Sequence, residues 1–157
     1  MSDSVVPLDA DAIRALLPLR HPYLLIDRVI SVFPGGCIAL KNITFSDPSF
    51  VGHFPEKAVY PGSLLMESMA QSGYFMGTPE DATAPDRTAY RESFLVSANL
   101  KFHRPAVPGD QILLRARLVR QENALVHYKV DAHVGAALIA SGTFGALLRV
   151  ATSEEHP

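Results

Sequence analysis

Two residues fourteen positions apart carry most of the chemical interest in this chain: His53, in a segment stiffened by Pro55, and Glu67, set among apolar side chains. An imidazole able to take a proton near neutral pH and a carboxyl able to give one make an acid/base pair. An ionised carboxylate in an apolar interior is very unfavourable unless paired. Glu67 is therefore expected to be protonated, hydrogen-bonded or functional, with burial raising its pKa. Both residues fall in one stretch, GHFPEKAVYPGSLLMESMAQSG, from Gly52 to Gly73.

The element that must position Glu67 is a helix. Pro61 suits its first position, and Leu64, Leu65, Met66, Met69, Ala70, Phe75 and Met76 surround it, which predicts burial on most sides. Gln71 lies one turn after Glu67 on the same face, within reach of the carboxyl.

Around this helix the chain reads as strands. Asp9 caps a short helix over Ala10–Leu17, ended by Pro18. Leu24–Val32 is rich in branched residues and stops at Pro34-Gly35-Gly36, a strand and a turn; Cys37–Ser46 is a second strand, with a bulge near Lys41-Asn42. After the helix, residues 77–91 are polar and hold two prolines, which predicts a lid, a binding loop or disorder. Four strands follow: Ser93–His103 in strict alternation, Gln111–Glu122, Leu125–Val134 and Ala137–Val150. Residues 1–7 and 151–157 are expected to be loose tails. The fold class is α+β: a curved antiparallel sheet wrapped around one long central helix, in a single domain over 1–157.

Composition narrows the function. With 48% hydrophobic and 19% charged residues among 157, the chain is an ordinary globular one, and its net charge of −2 argues against a nucleic-acid partner. A small basic patch for an acidic protein partner stays open. The one cysteine, Cys37, has no partner for a disulfide, which fits a reducing cytoplasm. No signal peptide or membrane span is expected. No grouping has metal-ligand spacing, so no metal is expected. His21 suits a turn; His103, His127 and His133 suit surface or strand positions.

Four features together resemble the bacterial 3-hydroxyacyl-[acyl-carrier-protein] dehydratases of the FabZ type, within the FabA/FabZ hotdog superfamily. They are LRHPYLLIDRV, GHFPEKAVYPGSLLMESMAQ, KFHRPAVPGDQ, and the order of elements between them, over roughly residues 16–148. The resemblance implies the hotdog fold and a reaction needing no cofactor. It implies that His53 removes the proton beside a thioester carbonyl, and that Glu67, supplied by a second subunit, protonates the departing hydroxyl. Glu rather than Asp at position 67 favours dehydration without isomerisation. Enolate charge on the thioester oxygen calls for a fixed donor. Because Pro61 has no N–H, the Gly62 amide is the first one available at the helix N-terminus, and the resemblance implies that role for it.

Phe54, Tyr60 and Phe102 suit either an acyl tunnel or the core. Lys101, His103 and Arg104, with Arg87 and Arg91, suit either a basic rim that docks an acidic acyl carrier protein or a solvated face. The resemblance implies a homo-oligomer, a dimer or a trimer of dimers. Family members usually read GHFPGKPIFPG, whereas this chain has Glu56 and Ala58, and His103 stands where Arg is common. These departures suggest a specialised substrate, such as a polyketide or polyene intermediate. Two alternatives stand beside the dehydratase: a hotdog thioesterase, and a non-catalytic subunit partnering another dehydratase.

Overall fold

The computed structural model describes residues 7–77 and 90–150. Its elements are α1 (Ala10–Leu16), β1 (Arg28–Phe33), β2 (Gly36–Asn42), a 3-10 turn (Pro48–Val51), α2 (Gly62–Ser72) continued by a 3-10 turn (Gly73–Phe75), then β3 (Tyr90–Phe102), β4 (Gln111–Glu122), β5 (Leu125–Val134) and β6 (Ala137–Val150). The six strands form one antiparallel sheet in the order β1-β2-β4-β5-β6-β3. This is the expected α+β hotdog architecture. Alternation drives it: in β4, Ile112, Leu114 and Ala116 are fully buried while Arg115 and Arg117 are exposed. The inner face packs on α2, whose Met69 is fully buried, and on Phe75 and Met76 behind it.

Four expectations about the strands are corrected. The first strand begins at Arg28 rather than Leu24. The Leu25 N–H is taken by the Gln71 side chain, so this backbone is diverted onto α2 instead of pairing with β2. The bulge is absent from the β2–β4 ladder; the irregularities fall instead in β1 between Val29 and Ser31, in β3 between Tyr90 and Glu92 and between Leu95 and Ser97, in β4 between Leu118 and Arg120, and in β5 between Ala132 and His133. Strict alternation in β3 therefore fails. Ser93 and Leu95 pair with inward-facing Leu148 and Ala146, and across the irregularity the inward set continues as Ala98, Leu100 and Phe102. The second strand also ends at Asn42, four residues short of Ser46.

α2 is buried less completely than its composition predicts. Leu65, Ser68, Met69, Gln71 and Ser72 are buried, but Gly62, Leu64, Met66, Glu67 and Ala70 are partly exposed. Pro61 stands at the N-cap rather than inside the helix. The two buried serines satisfy their hydroxyls on the helix backbone, Ser68 Oγ to the Leu64 carbonyl at 2.8 Å and Ser72 Oγ to that of Met69 at 2.7 Å. At the far end Tyr128 Oη donates to the Ala70 carbonyl at 2.9 Å, and its ring lies where a side chain at Gly73 would be.

β3 is an edge strand. Its side chains from Glu92 to Asn99 are all exposed, and they include Phe94 at 48%, Leu95 at 42% and Val96 at 55%. The tails (1–6 and 151–157) and residues 78–89 of the polar loop lie outside the described residues. No described helix is long and apolar enough to cross a membrane.

Candidate active site

His53 follows the 3-10 turn Pro48–Val51, and two backbone bonds hold its loop. The His53 N–H donates to the Ser49 carbonyl at 3.1 Å, and the Val59 N–H donates to the His53 carbonyl at 3.1 Å. Between them Phe54 and Lys57 exchange N–H···O bonds across a tight turn. The imidazole is half-buried, stacked on Phe54 with centroids 4.1 Å apart, and its Nδ1 lies 2.8 Å from the Val59 carbonyl. A carbonyl oxygen only accepts, so Nδ1 carries the hydrogen and Nε2 presents a lone pair. No side-chain identity in the sequence announces this contact, because the acceptor is a backbone carbonyl.

His53 lines a cavity of about 300 Å³ with Tyr60, Gly62, Phe102 and Arg104. Gly62 is the first residue of α2, so its N–H has no partner within the helix. A Cβ at that position would come 3.3 Å from the Phe102 ring. The absent side chain therefore leaves the helix N-terminus open beside the imidazole.

Glu67 lies in a different cavity, of about 350 Å³, lined also by Gln71, Ala70, Tyr74 and Tyr128. It is half-buried, not enclosed. Its Oε1 accepts from Gln71 Nε2 at 2.8 Å. The same amide nitrogen donates to the Tyr23 carbonyl at 2.6 Å, and Gln71 Oε1 accepts from the Leu25 N–H at 3.0 Å. Both amide hydrogens and the amide oxygen are thus engaged, which fixes the amide's orientation. A proton on Glu67 must then sit on Oε2, since Oε1 is already accepting.

The remaining expected site residues divide. Phe54 is 54% exposed and covers His53 without lining either cavity; Phe102 walls the His53 cavity. Tyr60 touches that cavity, but it is 3% exposed and its ring packs on Phe50 in the core. Its buried hydroxyl has no hydrogen-bond partner among the described residues. Burial pushes its phenol up to about 12, with Ser68 nearby offsetting part of the effect. Burial pushes the Tyr128 phenol higher still. Arg104 lies at the His53 cavity, and Lys101 is exposed on the other face of β3. Glu56 is exposed at the loop tip. Arg87 and the side chain of Arg91 lie outside the described residues. Among the described residues no three His, Cys, Asp or Glu side chains are grouped as a metal site.

Comparison with known proteins places this geometry. Residues 17–143 match the family model of the FabA-like domain, so the chain belongs to the FabA-like family. Within that family it is of the FabZ type. It is 39% identical over 145 residues to the 3-hydroxyacyl-[acyl-carrier-protein] dehydratase FabZ of Bradyrhizobium diazoefficiens, covering 90% of this chain and 92% of that one. It is 35% identical over 144 residues to the FabZ of Brucella ovis, covering 91% and 90%. Among solved structures, the dehydratase heterocomplex ApeI:P from Xenorhabdus doucetiae superposes with a TM-score of 0.68 at 13% identity, covering 87% of this chain and 90% of that one. A sigma28-regulated virulence protein from Campylobacter jejuni gives 0.63 at 17% identity, covering 87% and 95%. At such identities these two likenesses concern the fold.

Proposed function

We propose that this chain dehydrates a 3-hydroxyacyl thioester, borne on acyl carrier protein, to the trans-2-enoyl thioester, with each active site shared between two protomers in the cytoplasm. One observation carries the reading. His53 and Glu67 line separate cavities of the same chain, and neither cavity holds both an acid and a base. The long apolar edge of β3 runs beside the Glu67 cavity, contributing Phe94 and Leu95 to its wall, and ends at Phe102 in the His53 cavity. A second copy pairing along β3 would cover that edge and bring unlike half-sites together.

In the composite site His53 Nε2 takes the proton from the carbon beside the thioester carbonyl. The charge that develops on the thioester oxygen is met by the Gly62 N–H and the positive end of α2. The partner's Glu67 gives the proton on Oε2 to the 3-hydroxyl, the C–O bond breaks, and water leaves as the double bond forms. The imidazolium and carboxylate that remain return to their starting states by exchanging one net proton. Glu rather than Asp at position 67 favours simple dehydration over isomerisation. Arg104, beside the His53 cavity, suits the acidic carrier.

The test is to incubate purified protein with a 3-hydroxyacyl carrier-protein thioester and follow products by mass spectrometry. Loss of one water is expected, abolished in His53→Ala and in Glu67→Gln. Mixing the two inactive variants should restore activity, because a hybrid dimer holds one intact site. Release of free acid would instead identify a thioesterase, and mixtures that stay inactive would overturn the shared site.

A further inference from the structure

The Glu67 cavity extends well past the carboxyl that opens it. It follows α2 toward its C-terminal end, from Glu67 past Ala70 to Gly73, with the inner face of β5 and β6 as the opposite wall. Val126, Ala146 and Leu95 lie in register across that face, and together with Leu148 they make this stretch of wall apolar. Polar side chains gather at the near end, where Gln71 holds Glu67.

Tyr128 sets the depth of the far half. Its ring occupies the space that a side chain at Gly73 would take, and it is backed by Phe144, stacked at 5.4 Å. Its hydroxyl donates to the Ala70 carbonyl at 2.9 Å. That carbonyl also takes the Gly73 N–H, and there α2 gives way to the 3-10 turn. Ring, hydroxyl and backing are all held, so Tyr128, 4% exposed, is a fixed floor under the trough.

The room available can be gauged in two ways. At 1.5 Å per residue α2 advances about 9 Å from Glu67 to Gly73. An extended chain gains about 1.2 Å per bond, a third of the reach of one residue, so this length takes about seven or eight carbons. The cavity volume of about 350 Å³ holds about twelve heavy atoms at the roughly 30 Å³ of a liquid water molecule. The two agree once the atoms beside the carboxyl are included.

We propose that this cavity receives the acyl tail from C4 onward and that Tyr128, seated in the gap at Gly73, limits its length, so that the preferred substrate is a medium-chain 3-hydroxyacyl thioester of about ten to twelve carbons. The inference rests on the dehydratase reading, which puts C3 and its hydroxyl beside Glu67. A tail that starts there continues along α2 in the protomer that supplies the acid. Phe102, in the His53 cavity, then flanks the thioester end rather than the tail.

The experiment measures kcat/KM of the native enzyme for saturated 3-hydroxyacyl pantetheine thioesters from C4 to C14. It should rise by up to about fourfold per methylene, the worth of removing one from water, and stop rising at C10–C12. Tyr128→Leu lowers the floor and should raise the C14-to-C10 ratio about tenfold. Ala146→Leu fills the trough from the sheet side and should lower the C12-to-C6 ratio about tenfold. Tyr128→Phe keeps the ring and should keep the native length profile. A native profile that is flat, or still rising at C14, overturns the ruler even if the variants fail to fold. Folded variants that leave both ratios unchanged overturn it as well. Calorimetric titration with saturated acyl pantetheines lacking the 3-hydroxyl separates the two readings. A protein that dehydrates nothing, yet binds these about fourfold tighter per methylene up to C10–C12, fails as a dehydratase and keeps the ruler. Equal affinity at every length, or no binding, refutes the ruler whether or not water is lost.

Discussion

Removing the Gln71 side chain should cost far more than a surface glutamine does, because it joins α2 to the segment before β1. In Gln71→Ala the Leu25 N–H loses its acceptor, and Leu25 is only 8% exposed, so water does not readily replace it. An orphaned buried amide costs about 1–3 kcal/mol. The Tyr23 carbonyl, whose residue is 69% exposed, can turn to solvent at little cost. The emptied volume of a side chain only 5% exposed adds about 1 kcal/mol. The sum is about 3 kcal/mol, a fall in Tm of about 6–12 °C for a chain of this size. Thermal unfolding followed by circular dichroism at one fixed protomer concentration measures it. Dehydratase activity below the new Tm should fall as well, since Glu67 loses its fixed donor. Gln71→Glu keeps an acceptor for Leu25 but turns the donor facing Glu67 into a second acceptor, so it should be better tolerated at low pH than at high. A Tm within 2 °C of native for Gln71→Ala, on the scale of about 0.5–1 kcal/mol, would refute the claim that this amide holds the two segments together.

Two further outcomes are expected. Tyr60→Phe removes a buried hydroxyl that has no hydrogen-bond partner among the described residues and should raise stability by about 1 kcal/mol. It should also flatten the alkaline side of the stability profile. With a folded pKa of about 12 against about 10 unfolded, the unfolded chain binds fewer protons between those values, so native stability falls as pH rises through that window; urea titrations from pH 9 to 12 would show it. The two helix-flanking glycines should respond oppositely to alanine. At Gly73 the new Cβ would fall within the Tyr128 ring, itself buried and stacked on Phe144 at 5.4 Å, so stability should drop by about 1–3 kcal/mol. At Gly62 it meets the half-exposed Phe102 ring at 3.3 Å, which can turn aside, so Tm should hold while activity falls about tenfold or more through misplaced substrate.

Local pattern made β4, β5 and β6 legible, because their alternation and bounding turns are encoded within each strand. It misplaced the start of β1 because what diverts Leu25 is a side chain 46 residues later. It could not foresee that β3 changes face near Val96, since the irregularity is a property of the pairing with β6. For the site, the types and order of His53, Gly62, Glu67 and Gln71 were readable, as was the Gln71–Glu67 contact one helical turn apart. The Val59 carbonyl that fixes the imidazole tautomer was not, because a backbone acceptor leaves no mark in side-chain identity. Nor was the division of His53 and Glu67 between two cavities, which depends on α2 running from one to the other. Tyr60 read equally as tunnel or core, and its burial assigns it mainly to the core.

The exposed edge of β3 also bears on how such a protein diversifies. If each working site draws its base from one chain and its acid from another, a duplicated gene is free to lose one of the two without loss of fitness, provided its product still accepts the same edge. Selection on the pair would then preserve β3 complementarity more stringently than either half-site. A lineage could pass from two equivalent sites to one site and one vacant cleft, in which new contacts evolve without disturbing catalysis. Under that arrangement the exposed edge of β3 would let a paired enzyme divide its labour.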